Sequence, residues 1–311
     1  MTQFARIDKL ELSHSSRCAF RACPRKFEFR KLYNNSRRSE SLAAGSGTAL
    51  HNGIQTYLAT GDREEAEWHF IRTFPIEFQK SLYDNRSIVG SWVTLQNMMN
   101  WERLQEFELA RISVNGEEKP ATEVPFILRI ENFPWYEDGE PITIDYVGYI
   151  DLIMYSKLND TFAVFDIKTT EKNFDESVKY TFDEQCLPYG LVLESLLNHD
   201  LSLGFEVDYW VAVTNALEPR NKLYSFQKSP VDIQEWLVNY IEDLGQIRKY
   251  YLQGYFPRYG NACMGFNRPC VNADFCSTRD RDTIEMLIAS DELQKEGREV
   301  EPWVIVDLRY E

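Results

Sequence analysis

Residues 163–170 read A-V-F-D-I-K-T-T, and the stretch begins as a buried strand does, with three apolar residues in a row. Asp166 and Lys168 stand two residues apart, and in a strand that spacing places both side chains on one face. The pair is either an ion pair, which arises easily by chance, or a catalytic pair in which the carboxylate holds a metal ion and the lysine acts on a water. The rest of the chain decides between these two interpretations.

The overall composition indicates a globular chain with a basic segment near its start. The 311 residues are 43% hydrophobic, enough for one large or two smaller domains, and a formal net charge of −15 argues against a general nucleic-acid coat. Residues 17–38 nevertheless contain eight basic residues and one acidic residue. Three arginines recur there every fourth residue, a spacing that forms one stripe on a helix: Arg17, Arg21 and Arg25. The stripe is either a solvated helix face or a site that binds a phosphate backbone.

The cysteines are candidates for metal ligands rather than disulfides. No apolar run is long enough to span a bilayer, and the first residues lack the apolar core of a signal peptide, so we expect a cytoplasmic protein without membrane association. Thiols or metal ligands are the usual role of cysteines in that compartment. Three lie close together in one glycine- and proline-bearing loop, and a fourth precedes a proline near the start: Cys263, Cys270, Cys276 and Cys23. Cys18 and Cys186 fit ordinary buried thiols.

The order of predicted elements indicates an α/β fold with helices on the faces of a sheet. A helix begins at the caps in residues 13–16 and runs to about residue 33. The later elements are helices near residues 43–59, 183–198, 231–252 and 283–294, and strands near residues 123–130, 142–155, 162–168, 205–214, 222–226 and 304–308.

Asp151 lies in the apolar strand V-G-Y-I-D-L-I-M-Y, where a carboxylate is costly unless it is paired or coordinated. If this strand and residues 162–168 form a hairpin that turns at Asn159 and Asp160, Asp151 and Asp166 lie close together across it. Two such carboxylates repel each other, and a divalent cation relieves the repulsion. The sequence therefore predicts Mg²⁺ or Mn²⁺ at this place, against the alternative that Asp151 is an unrelated solvated residue.

Three further polar residues are weak candidates when each is taken alone. His51 lies among the small residues of G-T-A-L-H-N-G, which allow its helix to approach a neighbour closely. Gln185 and Tyr189 are four residues apart, on one face of a predicted helix.

Taken in order, these residues resemble the motifs of the PD-(D/E)XK nuclease superfamily, specifically its RecB-like exonuclease branch. The motifs are the helix histidine His51, Gly148-x-x-Asp151, Asp166-x-Lys168 followed by Thr169, and Gln185-x-x-x-Tyr189. Glu123 occupies the place where this branch often has a glutamate on the first core strand, and Ile150 replaces the proline of the superfamily name. The resemblance covers about residues 45–190 and implies a restriction-endonuclease-like core, a mixed central sheet flanked by helices.

The resemblance also implies the roles of the site residues. Mg²⁺ or Mn²⁺ would be held by His51, Asp151, Asp166 and the backbone carbonyl of Ile167. Lys168 would orient or deprotonate the attacking water and stabilise charge on the scissile phosphate. Gln185 and Tyr189 would position the DNA strand, which the arginine stripe would guide.

The cysteine pattern is similar to that of the iron–sulfur members of this branch, the CRISPR-associated adaptation exonucleases and the AddB-type nuclease domains. On that resemblance Cys23, Cys263, Cys270 and Cys276 hold a 4Fe–4S cluster that clamps the N- and C-terminal segments together. A structural zinc ion is the alternative, because four thiolates also suit zinc.

These inferences predict one nuclease domain over residues 1–311. Residues 1–40 would contain the basic helix and first cluster ligand, residues 41–255 the nuclease core, and residues 256–311 the cysteine-bearing segment. We expect a metal-dependent DNA exonuclease that acts on single-stranded or frayed ends. The alternatives are an endonuclease on branched DNA and a nuclease-fold binding or scaffolding subunit whose partner is a helicase or recombination complex. The D-x-K pair and His51 count against the scaffolding role, and the acidic surface counts for it.

Overall fold

The computed structural model describes residues 4–33, 42–79, 81, 84–172, 177–215, 217–265, 268–278, 283, 286 and 301–308. The chain forms two compact units that interleave along the sequence. The first comprises Met1–Ser39, Ile127–Gly148 and Leu237–Glu311, and the second comprises Glu40–Phe126 and Tyr149–Trp236. A single nuclease domain divided at residues 40 and 255 stays a prediction.

Helices predominate over residues 14–99 and strands over residues 107–170, and both types follow after that. The α-helices are α1 (His14–Ala22), α2 (Pro24–Phe27), α3 (Leu42–Thr60), α4 (Arg63–Thr73), α5 (Ile88–Met99), α6 (Ser177–Thr181), α7 (Tyr189–Leu197), α8 (Pro230–Leu252) and α9 (Ala273–Ser277). The strands are β1 (Lys9–Leu12), β2 (Phe107–Leu109), β3 (Arg111–Val114), β4 (Glu117–Pro120), β5 (Thr122–Pro134), β6 (Pro141–Ser156), β7 (Thr161–Thr170), β8 (Phe205–Val213), β9 (Arg220–Lys228), β10 (Met264–Gly265), β11 (Arg268–Pro269) and β12 (Val304–Asp307). Within the described ranges, none of these helices combines the length and apolar character that crossing a bilayer requires.

The second unit contains β7, β8 and β9 with residues 122–126 of β5 and 149–156 of β6, and the strand order of this mixed sheet is β5-β6-β7-β8-β9. Strands β6 and β7 are an antiparallel hairpin in which Ser156 pairs with Thr161, as the turn at Asn159 and Asp160 predicts. Strands β7 and β8 are parallel, which requires the intervening crossover through α6 and α7, and β9 returns antiparallel to β8. The α/β fold with a mixed sheet flanked by helices is therefore confirmed.

The core of this unit lies between α3, α4 and α5 and one face of the sheet. Phe165 on β7 and Trp210 on β8 are fully buried there, and Trp210 stacks on Trp101 with the ring centroids 5.1 Å apart. Helix α3 approaches β7 closely because Gly47 has no side chain: a Cβ atom at that position would lie 3.1 Å from Oγ1 of Thr169. The small residues around His51 thus bring its helix onto the D-x-K strand, as the sequence predicts.

The N-terminal helix, which belongs to the first unit, is shorter than the sequence predicts. Helix α1 begins after Ser13, whose side chain accepts a hydrogen bond from the backbone of Ser16, and it ends at Ala22. Cys23 is extended, with φ −163°, because a residue that precedes a proline is disfavoured in the helical region. The chain then continues as α2 and a π-helical turn, Glu28–Leu32, so the predicted single helix to residue 33 is wrong.

The helix predicted at residues 183–198 also begins later than expected. Residues 183–188 are not helical, and α7 starts at Tyr189, directly after Pro188. Proline has no N–H to donate, so it suits the start of a helix and not its interior. The helix predicted at residues 283–294 lies outside the described residues except for Thr283 and Met286.

Candidate active site

The hairpin of β6 and β7 brings the carboxylates and the lysine together. Leu152 pairs with Phe165 in this antiparallel hairpin, so Asp151 and Asp166 occupy the next pair of opposite positions. The backbone N–H of Ile167 donates to Oδ2 of Asp151 at 2.8 Å. Nζ of Lys168 lies 2.6 Å from Oδ2 of Asp166, as the two-residue spacing predicts. The residues of the opening stretch thus face one site.

A candidate metal centre lies beside this pair. One ligand atom each from His51 on α3, Glu123 on β5 and Asp151 on β6 lies within 4.8 Å of the others. Nδ1 of His51 is 3.7 Å from Oδ2 of Asp151. One imidazole nitrogen and two carboxylate oxygens are donors that suit Mn²⁺ or Mg²⁺, so the residues present fit the ion that the motifs imply.

The electrostatics of the carboxylates are those of a cation site. Burial raises the pKa of Asp151 to about 7, against the hydrogen bond from Ile167 and the charge of Lys168, which lower it. Burial likewise raises the pKa of Asp166 to about 6, opposed by Lys168 and assisted by Asp151. Burial lowers the pKa of His51 more than the nearby carboxylates raise it. The site therefore favours a neutral imidazole, the form that ligates metals, and a cation would favour both ionised carboxylates.

Lys168 keeps its proton in this environment. Burial alone would lower its pKa, but Asp166 and Asp151 outweigh that effect and raise it. The ammonium form therefore predominates at neutral pH. That form suits a group that donates hydrogen bonds to negative charge rather than one that accepts a proton.

Gln185 and Tyr189 form hydrogen bonds around the Asp166–Lys168 pair. Lys168 donates to Oε1 of Gln185 at 3.0 Å, and Nε2 of Gln185 donates to Oδ1 of Asp166 at 3.1 Å. The same nitrogen lies 3.4 Å from the hydroxyl of Tyr189, which donates to the backbone carbonyl of Tyr149 at 3.2 Å. The two residues meet although Gln185 precedes the helix, and their role in positioning DNA stays a prediction.

The gathered ligand set differs from the one that the motifs imply. Glu123 joins His51 and Asp151 in the set, whereas the predicted ligand Asp166 is engaged by Lys168. The backbone of Ile167, predicted to contribute its carbonyl, bonds to Asp151 through its N–H and also forms a hydrogen bond with His51. The resemblance to the nuclease branch had indicated the position of Glu123 but had not included it among the ligands.

Sequence reasoning missed Gln55 entirely. Its side-chain amide donates to Oε1 of Glu123 at 2.8 Å and to the backbone carbonyl of Asp151 at 3.3 Å. The sequence contained one indication, because Gln55 follows His51 by four residues and therefore shares its helix face.

The four predicted cluster cysteines all lie in the first unit, but among the described residues only His51, Glu123 and Asp151 bring their ligand atoms together as a candidate metal group. The pKa of Cys276 is raised to about 11, mainly by burial, with Arg25 lowering it and Cys23, Cys270 and Cys263 adding to the increase. Cys23 is buried and accepts a hydrogen bond from the backbone of Tyr259 at 3.5 Å. A set of four thiols fits either a 4Fe–4S cluster or zinc.

The two remaining cysteines lie in different surroundings. Cys186 is a buried thiol, as expected, but Cys18 is exposed beside His14, so the prediction of a buried thiol is wrong for Cys18.

The arginines of the predicted stripe do not share one exposed face. Arg17 is 2% exposed, and its Nε and Nη2 atoms donate to Oδ2 of Asp243 at 2.9 and 2.7 Å. Arg21 bonds to the same carboxylate but is more exposed, and Arg25 pairs with Glu28 at 2.6 Å on the segment beyond Pro24. Their role in DNA binding stays a prediction.

One of three comparisons with known proteins shows the family of this chain. No curated protein sequence matches the chain. A protein from Eubacterium rectale named "Putative exonuclease" is similar in structure, with 12% identity, a TM-score of 0.47, and coverage of 85% of this chain and 92% of that one. The protein SSO0001 is similar with 13% identity, a TM-score of 0.26, and coverage of 68% and 79%. The sequence profile described as the PD-(D/E)XK nuclease superfamily matches residues 11–280. Because that match runs through every motif of the site, from His51 to Tyr189, the chain belongs to the PD-(D/E)XK nuclease superfamily.

Proposed function

We propose that the protein is a metal-dependent DNA exonuclease of the RecB-like branch that acts on single-stranded or frayed ends. The proposal rests on one observation, the convergence of His51, Glu123 and Asp151 with the Asp166–Lys168 pair. A lone ion pair would have no reason to lie beside three metal-ligating side chains. The interpretation of D-I-K as a chance ion pair is therefore disfavoured.

The donor set supports a divalent cation at this place. His51, Asp151 and Glu123 would hold Mg²⁺ or Mn²⁺, with Asp166 and the carbonyl of Ile167 as the further ligands that the motifs imply. Such an ion, when bound, makes a coordinated water more acidic and offsets negative charge on a phosphodiester.

Lys168 supplies the second positive charge of the site. Its ammonium, aligned by Oε1 of Gln185 at 3.0 Å, would donate to a phosphate oxygen as negative charge grows there. Gln185 also contacts Asp166, so one amide sets the relative position of the lysine and the carboxylate. Removing the side chain of Gln185 should therefore disturb the positions of both Lys168 and Asp166.

An exposed aromatic ring supports the preference for unpaired DNA. Tyr149 is 41% exposed and precedes Asp151 by two residues on β6, so both side chains project from the same face of the strand. The hydroxyl of Tyr189 anchors the backbone of Tyr149. Aromatic rings that stack on unpaired bases contribute about 1–3 kcal/mol per base without regard to sequence. A base next to the scissile phosphate would find such a ring.

We propose that Cys23, Cys263, Cys270 and Cys276 hold a 4Fe–4S cluster in the first unit. The electrostatic effect of the other three thiols on the pKa of Cys276 supports a shared site, as does the burial of Cys23. The cluster would join the segment after α1 to α9 and the loop before it, and zinc is the alternative occupant.

Digestion of matched DNA substrates tests the proposed activity. Purified full-length protein is incubated with end-labelled linear single strands, linear duplex and circular single strands, with Mg²⁺, with Mn²⁺ and with chelator. We expect metal-dependent loss of linear single strands and survival of the circles. Cut circles would indicate an endonuclease. Binding without cleavage of any substrate in either metal would indicate a binding subunit and contradict the proposal.

A further inference from the structure

Gln55 is a buried amide that contacts two parts of the candidate metal centre at once. It lies on α3, one turn after His51, and is 5% exposed. Its Nε2 atom donates to Oε1 of Glu123 at 2.8 Å and to the backbone carbonyl of Asp151 at 3.3 Å. Both hydrogens of the amide nitrogen are thereby directed, so the orientation of the group is fixed.

The side chain of Glu123 needs such a partner although its backbone belongs to strand β5. Glu123 is an exposed residue with three side-chain torsions, and its backbone has φ +47°, a conformation that residues other than glycine rarely adopt. Backbone of this kind persists where the surroundings hold it in place. The hydrogen bond from Gln55 restricts the carboxylate to positions near His51 and Asp151.

Asp166 and Glu123, two of the three acidic side chains of the site, have different kinds of partner. Asp166 lies 2.6 Å from an ammonium, which offsets much of its charge. Glu123 accepts from a neutral amide, which positions the carboxylate while leaving its negative charge for a cation. A lysine or arginine in place of Gln55 would compete with a metal for that charge.

We propose that Gln55 is a positioning residue that sets the affinity of the site for a divalent cation by holding Glu123 against His51 and Asp151. The inference rests on the proposed function, which binds the cation at these residues. Loss of hydrogen bonds that orient metal ligands typically weakens metal binding 10–100-fold.

The test measures the Mn²⁺ dissociation constant of the full-length protein by calorimetry, without DNA. Gln55→Met keeps the length and helix preference of the side chain but removes the amide, and we expect Mn²⁺ to bind about 10–100-fold more weakly. Gln96→Met is the matched control, since Nε2 of Gln96 donates to Oε1 of Glu67 at 2.7 Å outside the site. That variant should bind Mn²⁺ like the wild type. Gln55→Asn, whose shorter amide cannot contact both acceptors, replaces Gln55→Met if the latter does not fold.

A double-mutant cycle tests whether Gln55 acts through Glu123. In a Glu123→Gln background, Gln55→Met should weaken Mn²⁺ binding much less than it does in the wild type. An equal effect in both backgrounds, or wild-type affinity in Gln55→Met, would overturn the inference. Unchanged Mn²⁺ binding in His51→Ala and Asp151→Asn would contradict the proposed metal site as well. Loss of binding in those two variants but not in Gln55→Met would overturn only the inference.

Discussion

Lys168 and Asp166 form a contact of 2.6 Å between Nζ and Oδ2 on adjacent same-face positions of β7. The contact keeps the lysine protonated and holds it beside His51, Glu123 and Asp151. A surface ion pair of this length would contribute little. Under the proposed function, the pair lies where a phosphodiester would meet a metal, so that Lys168 can donate to the phosphate.

The buried carboxyls predict how the stability of the metal-free protein depends on pH. The pKa of Asp151 is raised to about 7, above the value of about 4 in an unfolded chain, so the folded state binds more protons between these pH values. The free energy of unfolding of the wild type, relative to Asp151→Asn, should therefore fall as pH rises from about 4 to 7. Chemical denaturation of both proteins, with chelator present, measures this difference in the free energy of unfolding at each pH. A difference that stays constant from about pH 4 to 7 would contradict the raised pKa of Asp151.

The same ionisation predicts the pH dependence of stabilisation by metal. At pH 5 a cation must displace protons from Asp151 and Asp166, whose pKa values are raised to about 7 and about 6. At pH 8 both are already ionised and repel each other. Mn²⁺ should therefore raise the melting temperature more at pH 8 than at pH 5. Equal increases at the two pH values would show that the ion binds elsewhere.

The cysteines should divide into four that hold the cluster and two that do not. Anaerobically purified protein should be brown and contain about four irons and four sulfides per chain. Alanine at Cys23, Cys263, Cys270 or Cys276 should bleach it and lower its solubility. Cys18→Ala and Cys186→Ala should retain colour and iron. A colourless native protein that contains one zinc ion would show that zinc, and not a 4Fe–4S cluster, occupies the cysteine site.

Arg17 and Arg21 should differ in what they contribute. Arg17→Ala removes a buried ion-pair partner of Asp243 and should lower the free energy of unfolding by about 3 kcal/mol. Arg21→Ala should change stability little but, if the predicted DNA role holds, should weaken DNA binding and make its salt dependence shallower by about one unit of slope. Chemical denaturation and salt-dependent binding separate the two. Equal stability losses would contradict this division.

Tyr149 should matter more for unpaired DNA than for duplex. Tyr149→Ala removes an exposed ring beside Asp151 and should cost about 1–3 kcal/mol in binding to single strands, with a smaller effect on blunt duplex. Tyr255→Ala, at another exposed tyrosine, serves as the control. Equal losses on both substrates would argue against base stacking at this position.

Local sequence patterns predicted strand β7 and its hairpin with β6. The two-residue spacing of Asp166 and Lys168 places both on one face of the strand, and the turn residues fix the hairpin. Asp151, Asp166 and Lys168 therefore meet as expected. The partner of Arg17 is 226 residues away, and no local pattern indicates that an arginine will be buried against Asp243.

Proline explains the two displaced helix boundaries, at Cys23 and before Tyr189, and the residue types there contained that information. The role of Gln55 depends on where three separate elements converge, which spacing along one helix cannot establish.

The rate of metal-dependent DNA cleavage by Lys168→Met shows whether the Asp166–Lys168 pair takes part in the reaction. Single-turnover cleavage of end-labelled single strands is measured with saturating Mn²⁺, beside the wild type and Lys157→Met, a lysine in the turn between β6 and β7. Mn²⁺ and DNA affinities are measured on the same proteins. The account predicts a loss of about 10²–10³-fold in rate for Lys168→Met, with both affinities retained and Lys157→Met unaffected. Near-normal cleavage by Lys168→Met would contradict it and would return the D-I-K pair to the status of an ion pair.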